Sequence, residues 1–254
     1  MAENSTIEWT DATWNPVTGC TKISPGCAHC YAETFAERFR GVKGHPYQQG
    51  FDLKLWENRI ELPLQWKKPR RIFVNSMSDL FHEDVPDGFI ERVFDTMRSA
   101  PHHTFQVLTK RAERLERWTS GNFSPENWPA NVWLGVSVEN EDYLWRVSHL
   151  LRTPARVRFL SVEPLLGWLR LDRQILAGID LVIVGGESGP RARRMHAEWA
   201  IDIQRQCAEA GVTFFFKQWG SYDSDGKRVG KKAAGRLLDG HAWNDLGFAQ
   251  KKSV

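Results

Sequence analysis

Short runs of β-branched and aromatic residues recur along the chain. Each is closed by polar or glycine residues and followed by apolar positions at helical spacing. The runs are Arg71–Asn75, Thr104–Thr109, Asn131–Ser137, Val157–Ser161, Asp180–Gly185 and Val212–Lys217. They begin roughly 24 to 33 residues apart, the length of a strand with its crossover helix, so the pattern predicts successive βα units with parallel strands. Between them, apolar spacing predicts helices over Asp87–Ser99, Arg111–Trp118, Asn140–Leu151 and Ala197–Ala210, with Gly211 stopping the last. An earlier strand is expected within Ile7–Trp14, with Tyr31–Arg40 as its helix. Residues 41–68 read as an irregular insertion and 220–254 as a carboxyl-terminal extension of a single domain over 1–254. Six or seven strands fit an α/β fold, either an incomplete parallel β/α barrel or an open doubly wound sheet.

Composition narrows this picture a little. The 254 residues approach the roughly 250 of a complete β/α barrel. No run of about 18 apolar residues occurs and the opening Met1–Thr6 is not basic, so a soluble, cytoplasmic chain with no membrane partner is expected. A net charge of +3 decides nothing. Local basic clusters at Lys67–Arg71, at Arg191, Arg193 and Arg194, and at Lys227, Arg228, Lys231 and Lys232 are each suited to a phosphate, although such clusters are most often solvated faces. Most of the 12 tryptophans are expected in packing, with one or two available to stack on a base.

Three of the four cysteines lie within one short segment, Cys20-Thr-Lys-Ile-Ser-Pro-Gly-Cys27-Ala-His-Cys30. An odd cluster cannot pair internally as disulfides, and thiolates are soft ligands that favour iron-sulfur clusters, zinc or copper(I). Pro25 and Gly26 are placed to turn the loop so that Cys20 meets Cys27 and Cys30. Two readings follow, a 4Fe-4S cluster with one iron free of protein ligands, or a zinc site recruiting His29 or His45; three ordinary reduced thiols are the bland alternative. Cys207, within a helical run, reads as a buried core thiol.

In parallel β/α folds, ligands meet the carboxyl ends of the strands. Here those ends are Asn75-Ser76-Met77-Ser78-Asp79, Thr109-Lys110-Arg111, Ser137-Val138-Glu139-Asn140, Ser161-Val162-Glu163-Pro164, Gly185-Gly186-Glu187-Ser188-Gly189 and Lys217-Gln218-Trp219. Taken singly, each is better explained by a cap or an ion pair. A polar ring repeated at one end of nearly every strand points to a ligand or cation that meets its carboxylates. The two glycines before Glu187 either let backbone approach a ligand or make a tight turn, and they match neither a dinucleotide fingerprint nor a Walker loop.

The cysteine triad ending Cys27-Ala-His-Cys30-Tyr31-Ala32 and followed by βα units resembles radical S-adenosylmethionine (SAM) enzymes. The segments Asn75–His82, Leu108–Arg111, Val132–Asn140, Phe159–Gly167, Val182–Pro190, Phe214–Gly220 and Lys232–Gly240 are similar to the phage-associated three-cysteine family, described as radical-SAM-like and of unassigned function. The Cys-x-x-Cys-Tyr ending also resembles the photoproduct lyases that act on DNA lesions. The resemblance implies that Cys20, Cys27 and Cys30 hold a 4Fe-4S cluster whose fourth iron binds SAM. It implies further that His29, Asn75, Ser76, Ser78, Asp79, Ser137, Glu139, Glu163 and Glu187 surround the cofactor, and that Lys110 and Lys217 act at the reacting atom. Arg111, Arg191, Arg193, Arg194, Gln218 and Trp219 would then contact the substrate. Two departures from the superfamily pattern stand out: six residues separate Cys20 from Cys27 instead of three, and Gly-Gly-Glu follows a late strand and not the second. The expectation is an iron-sulfur enzyme of DNA repair or modification that acts on nucleic acid or a nucleotide-derived substrate and is fed by a flavodoxin or ferredoxin. A nucleic-acid-binding protein with a structural metal is the alternative, and a metal-dependent hydrolase is disfavoured because no H-x-H or H-E-x-x-H pattern is present.

Overall fold

The computed structural model describes residues 5–247. The first four residues and the last seven of the carboxyl-terminal extension therefore lie outside the described residues. The chain divides into two compact units, Met1–Val136 with Arg152–Val157, and Ser137–Leu151 with Arg158–Val254.

In the first unit, strands β1 (Ala12–Trp14), β4 (Arg71–Val74), β5 (Thr104–Thr109) and β6 (Val132–Ser137) lie side by side in that order, while β2 (Val17–Thr18) pairs antiparallel with β3 (Lys54–Leu55). The main pairings are parallel, with Ala12 beside Ile72, Arg71 beside Thr104 and Phe105 beside Val132. Every residue of β1 and β6 is buried, as expected of parallel strands covered on both faces. Helices α1 (Tyr31–Ala36), α2 (Asp87–Ser99) and α3 (Ala112–Asn122) follow β2, β4 and β5. α2 turns Phe89, Ile90, Val93, Phe94 and Met97 inward at spacings of three and four. The 41–68 insertion is more ordered than its sequence suggests. It supplies β3 and two short 3₁₀ turns, and Trp56 is flanked by Lys54 Nζ at 3.9 Å and the Arg59 guanidinium at 3.7 Å from its ring.

The second unit contains α4 (Trp145–Leu151), β7 (Val157–Val162), α5 (Arg173–Leu176), β8 (Leu181–Gly185), α6 (Ala197–Ala210), β9 (Thr213–Gln218) and α7 (Lys231–Ala234). Its strands run parallel in the order β7, β8, β9. α6 ends where Gly211 adopts φ +70°, a left-handed stop that an L side chain resists. In both units successive strands are added in chain order without reversal. That is how a barrel wall grows, whereas a doubly wound sheet reverses at a switch point. Among the described residues, no helix is long and apolar enough to cross a membrane.

His103 immediately precedes β5, at the end of the strand away from the candidate site. Its ring is buried, Nε2 donates to the Pro63 carbonyl at 3.1 Å, and Nδ1 has no partner. Burial first, and His102 beside it, hold its pKa below the ordinary histidine value. The unfolded chain takes up this proton as pH falls below about 6.5, before the folded chain does, so stability is lost on acidification from that point down to the depressed folded pKa. His103→Gln keeps a donor for Pro63. It is expected to flatten the fall in urea-unfolding free energy below about pH 6.5, by at most about 1.4 kcal/mol per pH unit; an unchanged slope would contradict a neutral buried ring.

Candidate functional site

The cysteine segment is threaded through the first unit at the carboxyl ends of β1 and β4. Gly19 N donates to the Met77 carbonyl at 3.1 Å and Cys20 N to the Phe51 carbonyl at 3.2 Å. Gly19 has φ +83°, and a Cβ there would stand 2.2 Å from the Asp52 carbonyl oxygen, so only glycine fits. Pro25–Cys27 form a single 3₁₀ turn, in which the Ser24 hydroxyl lies 3.6 Å from Cys27 Sγ. Cys30 is the N-cap residue of α1. All four cysteines are free thiols, and Cys207 is buried within α6 as expected. Burial pushes the Cys20 thiol up to about 12, with the Asp79 carboxylate adding to the rise and the Arg111 guanidinium opposing it. Burial also raises Cys30, against the amides of the first turn of α1 and the Lys110 ammonium. Cys27 is electrostatically felt by both other thiols.

One guanidinium ties this segment to the strand ends. Arg111 Nη1 donates to Cys20 Sγ at 3.4 Å and to Asp79 Oδ2 at 3.2 Å, and Nη2 donates to the Thr21 hydroxyl at 2.8 Å and the Thr21 carbonyl at 3.3 Å. Asp79 is saturated in turn. Its Oδ1 accepts from Phe81 N at 3.0 Å and the Thr109 hydroxyl at 2.7 Å, and its Oδ2 also accepts from Lys110 N at 3.1 Å. Both side chains are 8% exposed. Burial works against the Arg111 charge, but Asp79 and Cys20 outweigh it and its pKa is raised. His82, to which the sequence pattern assigns no role, extends the network, its Nε2 lying 2.9 Å from the Thr21 hydroxyl while Nδ1 accepts from Asp84 N at 3.2 Å.

The remaining residues of the β4 loop hold the polypeptide together. Asn75 sits at φ +60°, accepts from Val17 N at 3.3 Å, and has its buried Nδ2 without an acceptor. Ser76 Oγ donates to Asn15 Oδ1 at 3.3 Å, Ser78 Oγ donates to the Val17 carbonyl at 2.7 Å, and the Tyr31 hydroxyl donates to the Ser76 carbonyl at 2.5 Å. Lys110 and His29 are half-buried.

In the second unit, the carboxylates after the strands meet internal cations. Glu163 accepts both hydrogen bonds of Lys217 Nζ, at 2.7 and 2.8 Å, and one from Gln218 Nε2 at 3.3 Å. A Cβ on Gly185 would stand 3.3 Å from this carboxylate, so the glycine leaves room for the pair to form across β8. Gln218 Oε1 is buried without a donor. Glu187 takes three hydrogen bonds from Arg193, from the backbone N at 2.7 Å, Nε at 2.9 Å and Nη2 at 2.5 Å. Glu139 is fully buried against Arg146 Nη1 at 2.8 Å, which also donates to the Ser137 carbonyl at 2.9 Å. Arg146, missed in the sequence, lies over the Tyr143 ring at 4.3 Å. Trp219 is buried and donates to the Leu237 carbonyl at 2.8 Å; Arg194 is exposed and reaches the Asp225 carbonyl, and Arg191 is exposed. Gly186 and Gly220 face each other's loops. Added Cβ atoms would stand 1.9 Å from the Trp219 carbonyl oxygen and 2.2 Å from that of Glu187, so the glycine pair serves a close crossing of two backbones.

Among the described residues, no three His, Cys, Asp or Glu side chains converge on a single-ion position. A single zinc with bonds of about 2.3 Å requires that convergence. His45, offered as a fourth zinc ligand, is stacked on Phe39 at 3.8 Å and accepts from Tyr47 N. A polynuclear cluster asks each thiolate to reach only its own iron, and three thiols suit it by donor chemistry. The donors are three free thiols with a guanidinium at one of them, and Arg111 Nε is buried beside them with no acceptor, an orphaned donor suited to an anionic group.

Seven parallel strands and their helices define an α/β fold of the incomplete β/α barrel class. The same fold is found in a cysteine-to-serine mutant of spore photoproduct lyase, at TM-score 0.50 and 10% identity, over 81% of this chain and 75% of that one. Two further structures of that lyase also align. One, a double mutant with bound AdoMet and dinucleoside spore photoproduct, gives TM-score 0.45 at 10% identity over 68% of this chain and 55% of that one; the other, complexed with dinucleoside spore photoproduct, gives 0.41 at 11% over 76% and 59%. The chain thus spans between 55% and 75% of the length of these structures. The chain belongs to the family described as protein of unknown function DUF5131, whose model matches residues 4–247. No curated protein matches it.

Asp79→Asn leaves a buried guanidinium without its counter-ion and replaces an acceptor by a donor facing other donors. It is expected to lower urea-unfolding stability of the metal-free protein by about 3 kcal/mol. A loss under about 1 kcal/mol would mean the pair is dispensable.

Proposed function

We propose that this chain is an iron-sulfur, SAM-dependent radical enzyme acting on nucleic acid or a nucleotide-derived substrate, in repair or modification of DNA. The observation that carries the reading is the cysteine segment itself: three free thiols after the first strands of an incomplete β/α barrel, with the Arg111 guanidinium on one of them. The shared fold is that of a protein named as a lyase for a spore photoproduct, which supports a lesion or modified base as substrate.

In this reading Cys20, Cys27 and Cys30 would hold a 4Fe-4S cluster. With SAM, such a cluster supplies one-electron cleavage of a carbon–sulfur bond, chemistry that belongs to the cofactor while the protein positions and shields it. Cys20 and Cys30 are both held protonated by burial in the metal-free chain, so loading would release protons and grow easier as pH rises. Lys110, His29 and Ser76 are the first-unit residues proposed to contact the cofactor, while the Asp79 carboxylate is filled from within. In the second unit, Lys217 is proposed to hold or move a proton at the reacting atom through its pairing with Glu163, and Gln218 to offer its unmatched Oε1 to a donor on the substrate. Exposed Arg191 and Arg194 would meet phosphates, giving salt-dependent binding.

Anaerobic reconstitution tests the proposal. Wild type is expected to acquire brown iron-sulfur absorbance and to convert SAM to 5′-deoxyadenosine with dithionite, and Cys27→Ala is expected to lose both. A fully loaded protein that leaves SAM intact, or a Cys27→Ala variant with undiminished iron and activity, would refute it.

A further inference from the structure

The sequence groups Arg111 with residues awaiting substrate. Its surroundings assign it elsewhere. The guanidinium is held by Asp79, by both oxygens of Thr21 and by Cys20 Sγ. At 8% side-chain exposure it has little surface to offer a phosphate arriving from solvent. Its one unmatched N–H, on Nε, is buried beside the thiols.

We infer that Arg111 is a positioning residue of the cysteine centre, holding Cys20 at its station and making an attached iron-sulfur group easier to reduce. The inference rests on the cluster reading above. A cluster gains negative charge on reduction, and a guanidinium that stays protonated at any working pH, in hydrogen-bond contact with a ligating sulfur, favours the more negative state. Asp79 carries the opposite charge on the same Nη1 and opposes the guanidinium at Cys20. The two residues therefore act in opposite senses on reduction although both support the same loop. A purely structural role would make their removal act alike.

The test is a mediator-buffered titration of the reconstituted protein with dithionite, which supplies the electron, followed by electron paramagnetic resonance. At the poise where wild type is half reduced, Arg111→Gln is expected to lower the reduced-to-oxidised ratio about tenfold. Arg111→Lys, which keeps the charge, should recover most of that loss, and Asp79→Asn should raise the ratio. A loaded Arg111→Gln protein with the wild-type ratio overturns the inference and leaves the cluster reading standing. If Arg111→Gln holds no iron, Asp79→Asn and Arg111→Lys decide: a ratio that rises in the first and stays near wild type in the second supports the inference, and any other pattern overturns it. A wild type that binds no iron-sulfur group under the same conditions fails the cluster reading, and this inference with it.

Discussion

A buried ion pair between Asp79 and Arg111 organises the first unit's functional end. Asp79 stands in the loop after β4, and its partners come from that loop, from Thr109 and Lys110 at the end of β5, and from Arg111 at the start of α3. Arg111 carries the connection on to Thr21 and Cys20. Taking two charges out of water costs several kcal/mol apiece, and attraction offsets that only where the remaining lone pairs and protons also find partners. Here the carboxylate has four donors, and all but one of the guanidinium nitrogens find acceptors. The pair is thus better understood as a fixed tether for the cysteine segment than as a source of net stability. The one nitrogen without an acceptor marks where an anionic group would be welcome.

The second unit solves a similar electrostatic problem with local partners. Glu163, Glu187 and Glu139 follow successive strands in a setting where bare carboxylates would be costly, and Lys217, Arg193 and Arg146 neutralise them from within. These pairs differ in accessibility: Glu139 and Arg146 are sealed, whereas Lys217 is 12% and Glu163 20% exposed. A cofactor is therefore not needed to explain why acidic residues recur after the strands. The proposed cofactor rests on the three clustered thiols instead.

Periodicity made the architecture legible. Helices Asp87–Ser99 and Ala197–Ala210 are found as read, and each main strand after the first lies within a residue or so of its expected bounds, because burial on both faces and the βα rhythm are local signals. Helices at site loops shifted more: the expected helix over Asn140–Leu151 is a 3₁₀ turn followed by α4, since Glu141–Tyr143 wind tightly before the buried Arg146. The β2–β3 pair escaped notice because two-residue strands have no period to read. Cation partners were illegible for a different reason. Asp79 and Arg111 are 32 positions apart and Glu163 and Lys217 54, brought together only by strand register. The Gly185-Gly186-Glu187 sequence left a ligand cradle and a tight turn equally open because glycine signals close approach without saying to what, and Gly186 approaches the loop after β9.

The central claim is that Cys20, Cys27 and Cys30 together hold a polynuclear iron-sulfur group in a chain whose thiols do not close on one ion. Chemical determination of iron and acid-labile sulfide in protein purified without oxygen reads this directly. About four of each per chain is the required outcome. One equivalent of zinc with no sulfide, unchanged after reconstitution, would contradict it.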